Sequence, residues 1–285
     1  MPSPLVATDW LASHPDDGNI HILDASWYLP QAKSDPKSEY EGAHIPGAVF
    51  FDIEALSDKQ TNLPHMMLLP DAFAVEMAKL GIGDDNFVVF YDGAGIYSAP
   101  RALWMLKAMG HMNVAVLDGG LPKWQREGRP ITAAPSLVRP ARFTARPQAH
   151  LVRDFDAMMK NLTTKGEQVV DARSPTRFCG EEKEPRPGVR AGHIPCSANI
   201  YYAAVVDADG TMLPADCLRT LFAAHHVDLE EPIVTSCGSG ITAAILSLAL
   251  EIAGAKNTSL YDGSWTEWGG RADAPLSTGP RSQSI

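Results

Sequence analysis

The chain has 285 residues, 45% apolar and 20% charged, and a formal net charge of −10. That length accommodates one large domain or two ordinary ones with a real core, as in a soluble globular protein. The acidic balance, without a basic stripe, argues against nucleic acid and anionic membrane as partners, and no stretch is apolar over the 18 residues a membrane helix needs.

The N-terminus, Met1-Pro2-Ser3-Pro4-Leu5-Val6, has no basic segment followed by a long apolar one. Ile22 to Ser26 reads as a short strand and Gly42 to Ala48 as a turn. Asp52 stands ahead of Ile53 to Leu56 as a helix N-cap would, and His65 follows Pro64 in a polar loop. Phe87 to Tyr91 is a β-type run. Pro100 to Met109 reads as a helix, with proline in its first turn and Gly110 as terminator. Residues 131–150, rich in proline and without periodicity, read as a linker over the surface.

Beyond it the same sentence is written again. Val169-Val170-Asp171-Ala172-Arg173 repeats Ile22-Leu23-Asp24-Ala25-Ser26, and Gly192-His193-Ile194-Pro195 repeats Ala43-His44-Ile45-Pro46. Ile233 to Gly240 repeats Val88 to Gly95, and Tyr261-Asp262-Gly263-Ser264 with Trp268 repeats Leu117-Asp118-Gly119-Gly120 with Trp124. A spacing near 144 to 149 residues is a domain duplication, since solenoid periods are roughly 20–50 residues. Each copy alternates strand and helix patterns, so the expected fold is α/β, with a mainly parallel sheet flanked by helices in each of two domains, 1–130 and 151–285. The paired His44 and His193 read as turn residues, the aspartates at positions 24, 171, 118 and 262 as strand-end carboxylates for loop amides, and the two tryptophans as core. The polar segment Pro275 to Ile285 carries no chemistry and reads as mobile.

Chemistry concentrates at Cys237-Gly238-Ser239-Gly240-Ile241-Thr242, which joins the run Ile233 to Ser236 to a helix ending at Gly254. Two glycines let the loop curl with its amides inward, and the helix N-terminus adds positive potential. Both favour thiolate over thiol, making Cys237 a candidate nucleophile. The first copy has Asp92 at the matching position and cannot carry sulfur there. The four cysteines, at 179, 196, 217 and 237, are dispersed without a CxxC pair, so no metal, cofactor or disulfide framework is expected, and a reducing, cytoplasmic location is. A cysteine phosphatase would share the strand, Cys loop and helix, but needs an arginine at the loop's far end, where this chain has Thr242 and Ala243.

Leu23 to Pro30, His44 to Asp52, Tyr97 to Arg101, the Cys237 loop and Tyr261 to Trp265, taken in order, resemble the two-domain rhodanese superfamily, and within it the members that use 3-mercaptopyruvate. The resemblance implies two tandem rhodanese-like domains, the second catalytic, and a sulfurtransferase. Cys237 would take sulfane sulfur from 3-mercaptopyruvate as a persulfide, release pyruvate and pass the sulfur to thioredoxin, glutathione, another thiol or cyanide. It also implies that Arg177 and Arg186 hold the donor's carboxylate and keto oxygen, and that Ser239 joins His65 and Asp52 in a hydrogen-bonded set. Gly238, Gly240, Ile241 and Thr242 would complete the donor site. Gly238 and Ser239 are neutral, which suits a monoanionic 2-oxo acid better than dianionic thiosulfate. The alternatives are a thiosulfate sulfurtransferase on the same fold and a non-enzymatic persulfide carrier or redox-sensing module. Cys196, where a glycine is expected after His193-Ile194-Pro195, and Cys179, beside Arg177, stand outside the pattern.

Overall fold

The computed structural model describes residues 3–15 and 17–280. The last five residues of the polar C-terminal segment therefore lie outside the described residues, as do Met1, Pro2 and Asp16. The chain forms two compact units: Met1–Asp58, Met67–Gln148 and Val206–Met212 make the first, and Lys59–Met66, Ala149–Val205 and Leu213–Ile285 make the second.

The first unit contains β1 (Leu5–Val6), α1 (Thr8–Ala12), β2 (Ile20–Asp24), α2 (Pro36–Gly42), β3 (Val49–Phe50), α3 (Pro70–Lys79), β4 (Phe87–Tyr91), α4 (Ala99–Ala108), β5 (Val114–Leu117) and α5 (Gly120–Arg126). Its five strands lie in the order β1-β5-β4-β2-β3, all pairs parallel. The central strand is an unbroken apolar run because both faces of a parallel sheet are covered by helices; Val88 to Tyr91 are fully buried. Asp35 caps α2, its carboxylate accepting from the Lys37 and Ser38 amides at 3.1 and 3.3 Å ahead of Pro36. Leu11, Ile45, Tyr91, Leu117 and Trp124 form the core on one side of the sheet.

The second unit repeats the plan with β6 (Val152–Arg153), α6 (Phe155–Thr164), β7 (Gln168–Asp171), α7 (Pro175–Cys179), β8 (Ala198–Asn199), α8 (Ala215–Ala224), β9 (Ile233–Ser236), α9 (Ile241–Ala253), β10 (Thr258–Tyr261) and α10 (Ser264–Gly270). The strand order β6-β10-β9-β7-β8 is the same, again wholly parallel. Helix α9 is apolar almost all round and nearly wholly buried, as such a sequence must be. It stops at Gly254, whose φ of 99° only glycine adopts freely. Phe155, Met158, Val234, Tyr261, Trp265 and Trp268 fill the core on one face.

The tryptophans and turn histidines sit as the repeat implies. Trp124 and Trp268 are 4% and 0% exposed, and each indole donates to a proline carbonyl, Pro130 or Pro275, at 2.7 Å. His44 bonds the Tyr40 and Ala134 carbonyls through its two ring nitrogens, and His193 bonds the Phe178 carbonyl. The carboxylates of Asp24, Asp171 and Asp118 accept from the amides of Ser26, Arg173 and Met212 at 2.9 Å each.

Three segments differ from their sequence reading. Residues 132–148 run as a strap along the first unit: Thr132 pairs with His44, Thr144 is held by Asp84, and the Arg146 and Gln148 amides bond the Met109 and Ala108 carbonyls. Asp52 heads a single turn in place of a helix, its carboxylate accepting from the Ala55 amide at 3.0 Å. The start of the C-terminal segment is tied down, since Ser277 exchanges two backbone bonds with His193 and the Gly279 amide bonds the Cys179 carbonyl at 2.8 Å.

Candidate active site

The second unit carries the Cys237 loop where β9 meets α9. The cysteine is 2% exposed, and the Gly240 amide donates to its Sγ at 3.1 Å. Gly240 has φ of 82°, the left-handed turn that swings this N–H back under the sulfur. Ile241 and Thr242 begin α9, whose first-turn amides have no partner within the helix, and its positive end favours an anion there. A hydrogen bond onto sulfur with a helix N-terminus behind it stabilises both thiolate and persulfide anions.

The loop is gripped from below by α10. The Ser264 hydroxyl accepts from the Cys237 amide at 3.2 Å and donates to the Tyr261 carbonyl at 2.9 Å. The Trp265 and Thr266 amides donate to the Cys237 and Gly238 carbonyls at 2.9 Å each. The Thr266 hydroxyl adds a bond to Gly238 O at 2.6 Å. Ser264 holds this place at φ of 48°, a strained value for a residue with a side chain. Sequence reasoning passed over Ser264, although its repeat partner Gly120, at φ of 53°, marks a left-handed position.

His65 belongs to the second unit although its sequence lies in the first copy. It is 2% exposed, and its Nδ1 lies 3.0 Å from Ser239 Oγ and 3.2 Å from Ser239 O. A carbonyl oxygen only accepts, so a hydrogen bond to Ser239 O comes from an Nδ1–H, which also lies within reach of Ser239 Oγ. The Ser239 hydroxyl hydrogen is thereby left available to donate elsewhere. Of the expected trio, Ser239 and His65 come together in this unit, while Asp52 lies in the first unit on its own turn.

Arg177, on the short α7, lies over the loop: its Nη2 is 3.2 Å from where a Cβ on Gly238 would stand. A Cβ there would press on the guanidinium, which would have to give by a few tenths of an ångström, so the glycine lets Arg177 lie close over the loop. Arg177 is ion-paired to Glu184, and Glu184 also binds Arg173 at 2.7 Å. Sequence reasoning missed both partners. Arg173 was visible as the one charged change within the repeated Asp-Ala-Ser/Arg motif, while Glu184 was hidden in an acidic run. Arg186 is half-buried two residues beyond Glu184.

Cys179 is half-buried at the end of α7, where burial and then the Glu181 charge push its thiol up from the ordinary value, the opposite of activation. Cys196 is exposed at φ of 66°, the conformation its glycine counterpart Gly47 takes at 82°. Among the described residues, no group of three or more His, Cys, Asp or Glu side chains is arranged to hold a metal ion, and no helix is long and apolar enough to cross a membrane.

Comparison with known proteins places the chain in a family. The rhodanese-like domain family matches residues 7–127 and 153–271. A 3-mercaptopyruvate sulfurtransferase of Escherichia coli (strain K12) is 43% identical over 274 residues, covering 95% of this chain and 96% of that protein. A mitochondrial thiosulfate/3-mercaptopyruvate sulfurtransferase of Arabidopsis thaliana is 41% identical over 96% of this chain and 78% of its own. The crystal structure of SseA from Escherichia coli, a 3-mercaptopyruvate sulfotransferase, superposes with a TM-score of 0.84 at 39% identity over 92% of this chain and 99% of that one. With both of its units matched, the chain belongs to the rhodanese-like family.

Proposed function

We propose that the chain is a sulfurtransferase that takes sulfane sulfur from 3-mercaptopyruvate onto Cys237 and passes it to an acceptor thiol or cyanide. The observation that carries this reading is the Gly240 amide on Cys237 Sγ at the head of α9, with Arg177 lying beside the same loop. The Cys237 thiolate attacks the donor's sulfur; a sulfur–sulfur bond forms as the carbon–sulfur bond breaks, and that electron pair leaves as the enolate of pyruvate. The donor's thiol proton ends on the pyruvate methyl carbon, and the enzyme is left as the persulfide anion under the loop amides.

Arg177 and Arg186 would hold the donor's carboxylate and keto oxygen, because a guanidinium fork matches a carboxylate in both distance and plane. Ser239, fixed by the His65 Nδ1–H, has its own hydrogen free to stabilise the developing enolate oxygen and to relay the proton. In the second half, an acceptor thiolate attacks the outer sulfur and Cys237 departs as thiolate. Thioredoxin, glutathione and cyanide all supply such an attacker. A reducing compartment such as the cytoplasm suits four free cysteines, one of which must stay reduced to react. Thiosulfate is a second donor to test, since the Arabidopsis relative's name carries both donors.

The test is intact mass after brief exposure to 3-mercaptopyruvate without acceptor. One added sulfur on the wild type and none on Cys237→Ser is expected; sulfur lodged on the variant would overturn the assignment. Steady-state kcat/KM with each donor ranks the two substrates, and a thiosulfate preference would reverse the donor assignment while leaving the persulfide.

A further inference from the structure

Four charged side chains form one line beneath the donor site. Asp171, at the end of β7, takes the Arg173 guanidinium through both oxygens, with Nε to Oδ1 and Oδ2 at 3.1 and 3.0 Å and Nη2 to Oδ2 at 2.7 Å. Arg173 Nη2 also donates to Gly192 O at 2.8 Å, its Nη1 donates to Glu184 Oε1 at 2.7 Å, and its Cζ lies 4.4 Å from the centre of the Trp265 ring. Glu184 turns its other oxygen, Oε2, to Arg177 Nη2. Side-chain exposures of 2% for Asp171, 1% for Arg173, 3% for Glu184 and 20% for Arg177 show that only the last is open to a ligand.

This order has a direction. Arg173 is locked by a carboxylate, a carbonyl and a ring face, so it is a fixed buried cation. Glu184 spans from that fixed point to Arg177: its Oε1 accepts from Arg173 Nη1 and, at 3.4 Å, from Arg177 Nε, while its Oε2 takes Arg177 Nη2. A long arginine side chain that would otherwise sample many rotamers is thereby held over Gly238. The four charges also cancel, so Glu184 removes one positive charge from the neighbourhood of any bound anion.

We infer that Glu184 is a positioning and specificity residue: it aims Arg177 at the donor and, by its charge, favours a monoanionic 2-oxo acid over a dianion such as thiosulfate. This rests on the donor reading proposed above. A neutral residue at 184 leaves one more positive charge beside the ligand, and a dianion gains twice what a monoanion gains from it. A purely structural role would lower stability without altering the ratio of donors.

Glu184→Gln, assayed as the full-length protein, is expected to raise KM for 3-mercaptopyruvate at least several-fold with little change in kcat. It should also shift the kcat/KM ratio of thiosulfate to 3-mercaptopyruvate upward by roughly tenfold. A ratio unchanged within twofold overturns the specificity claim. Because Glu184→Gln keeps one acceptor oxygen where two served, sets an NH2 against a guanidinium and can unfold, Glu184→Asp is the companion variant. It keeps the charge but is one methylene too short to bridge both arginines. Its KM for both donors should rise together with the donor ratio unchanged, and wild-type KM values would overturn the positioning claim. Wild-type loading of sulfur on Cys237, read by intact mass, separates the two ideas: without it the donor reading fails, and with it but no change in either variant only the role of Glu184 fails.

Discussion

The Asp92 loop of the first unit and the Cys237 loop of the second have the same parentage and opposite fates. Both leave the central strand of a five-stranded sheet and enter a buried helix, and both have the next strand's helix beneath them. The Leu121 amide donates to Asp92 O at 3.0 Å just as the Trp265 amide donates to Cys237 O at 2.9 Å. In the first unit the amides of Tyr97, Ser98 and Ala99 converge on Asp92 Oδ2 at 2.8, 2.9 and 2.9 Å, and the Ala94 amide reaches Oδ1 at 3.0 Å. The anion cradle is filled by the chain's own carboxylate. In the second unit the residue at that place ends in sulfur, and the amide beneath it stabilises an atom that can react. Beneath the loops, Gly120 cannot bear a side chain, since a Cβ would lie 2.5 Å from Asp92 O, whereas Ser264 fits and holds the Cys237 amide. A loop built to bind an anion is thus either structural or catalytic according to which residue supplies the anion.

The most severe way to break this contrast is to write the first unit's residue into the second. Cys237→Asp should fold, with its carboxylate accepting from the Gly240 amide, and should show no sulfur transfer above background; retained turnover would show that another thiol does the chemistry. Next in size is Asp92→Asn, which removes the charge from four converging amides in a buried site. It should lower stability by about 3 kcal/mol, read by chemical denaturation, with sulfur loading of Cys237 intact at a temperature where the protein stays folded. The smallest effect sharpens the comparison one strand over. Burial pushes the Asp24 carboxyl up to about 6, against the hydrogen bonds from Ser26. A carboxyl that holds its proton more tightly when folded adds stability that is complete below its unfolded value near 4 and is lost as pH rises through about 6. Asp24→Asn should therefore gain about 2 kcal/mol on the wild type between pH 4 and pH 7, and parallel stability curves would refute this.

The duplication, the parallel sheets and the reactive cysteine were legible because each is written as a local pattern. Apolar runs mark central strands, and Gly238 and Gly240 flank Ser239 where a core cysteine would have no use for them. The features that escaped depend on distant partners. Glu184 reads as one more solvated acid among Glu181, Glu182 and Lys183 until Arg173 is seen beneath it. Ser264 gains its role only when the Cys237 amide arrives above it. Asp52 offered two readings, an acid for the site or a cap for a helix over Ile53 to Leu56, and locally it caps a single turn through the Ala55 amide. The strap over residues 132–148 lacks periodicity because its order comes from backbone bonds to neighbours distant in sequence, which leave no pattern of side chains.

The membership of residues 59–66 in the second unit means that the boundary of the repeat is not the boundary of the working part. The histidine that touches Ser239 is encoded within the copy that has no thiol, so cutting the chain at the repeat boundary would take a piece out of the catalytic half. The two halves are separable on paper and inseparable in protein.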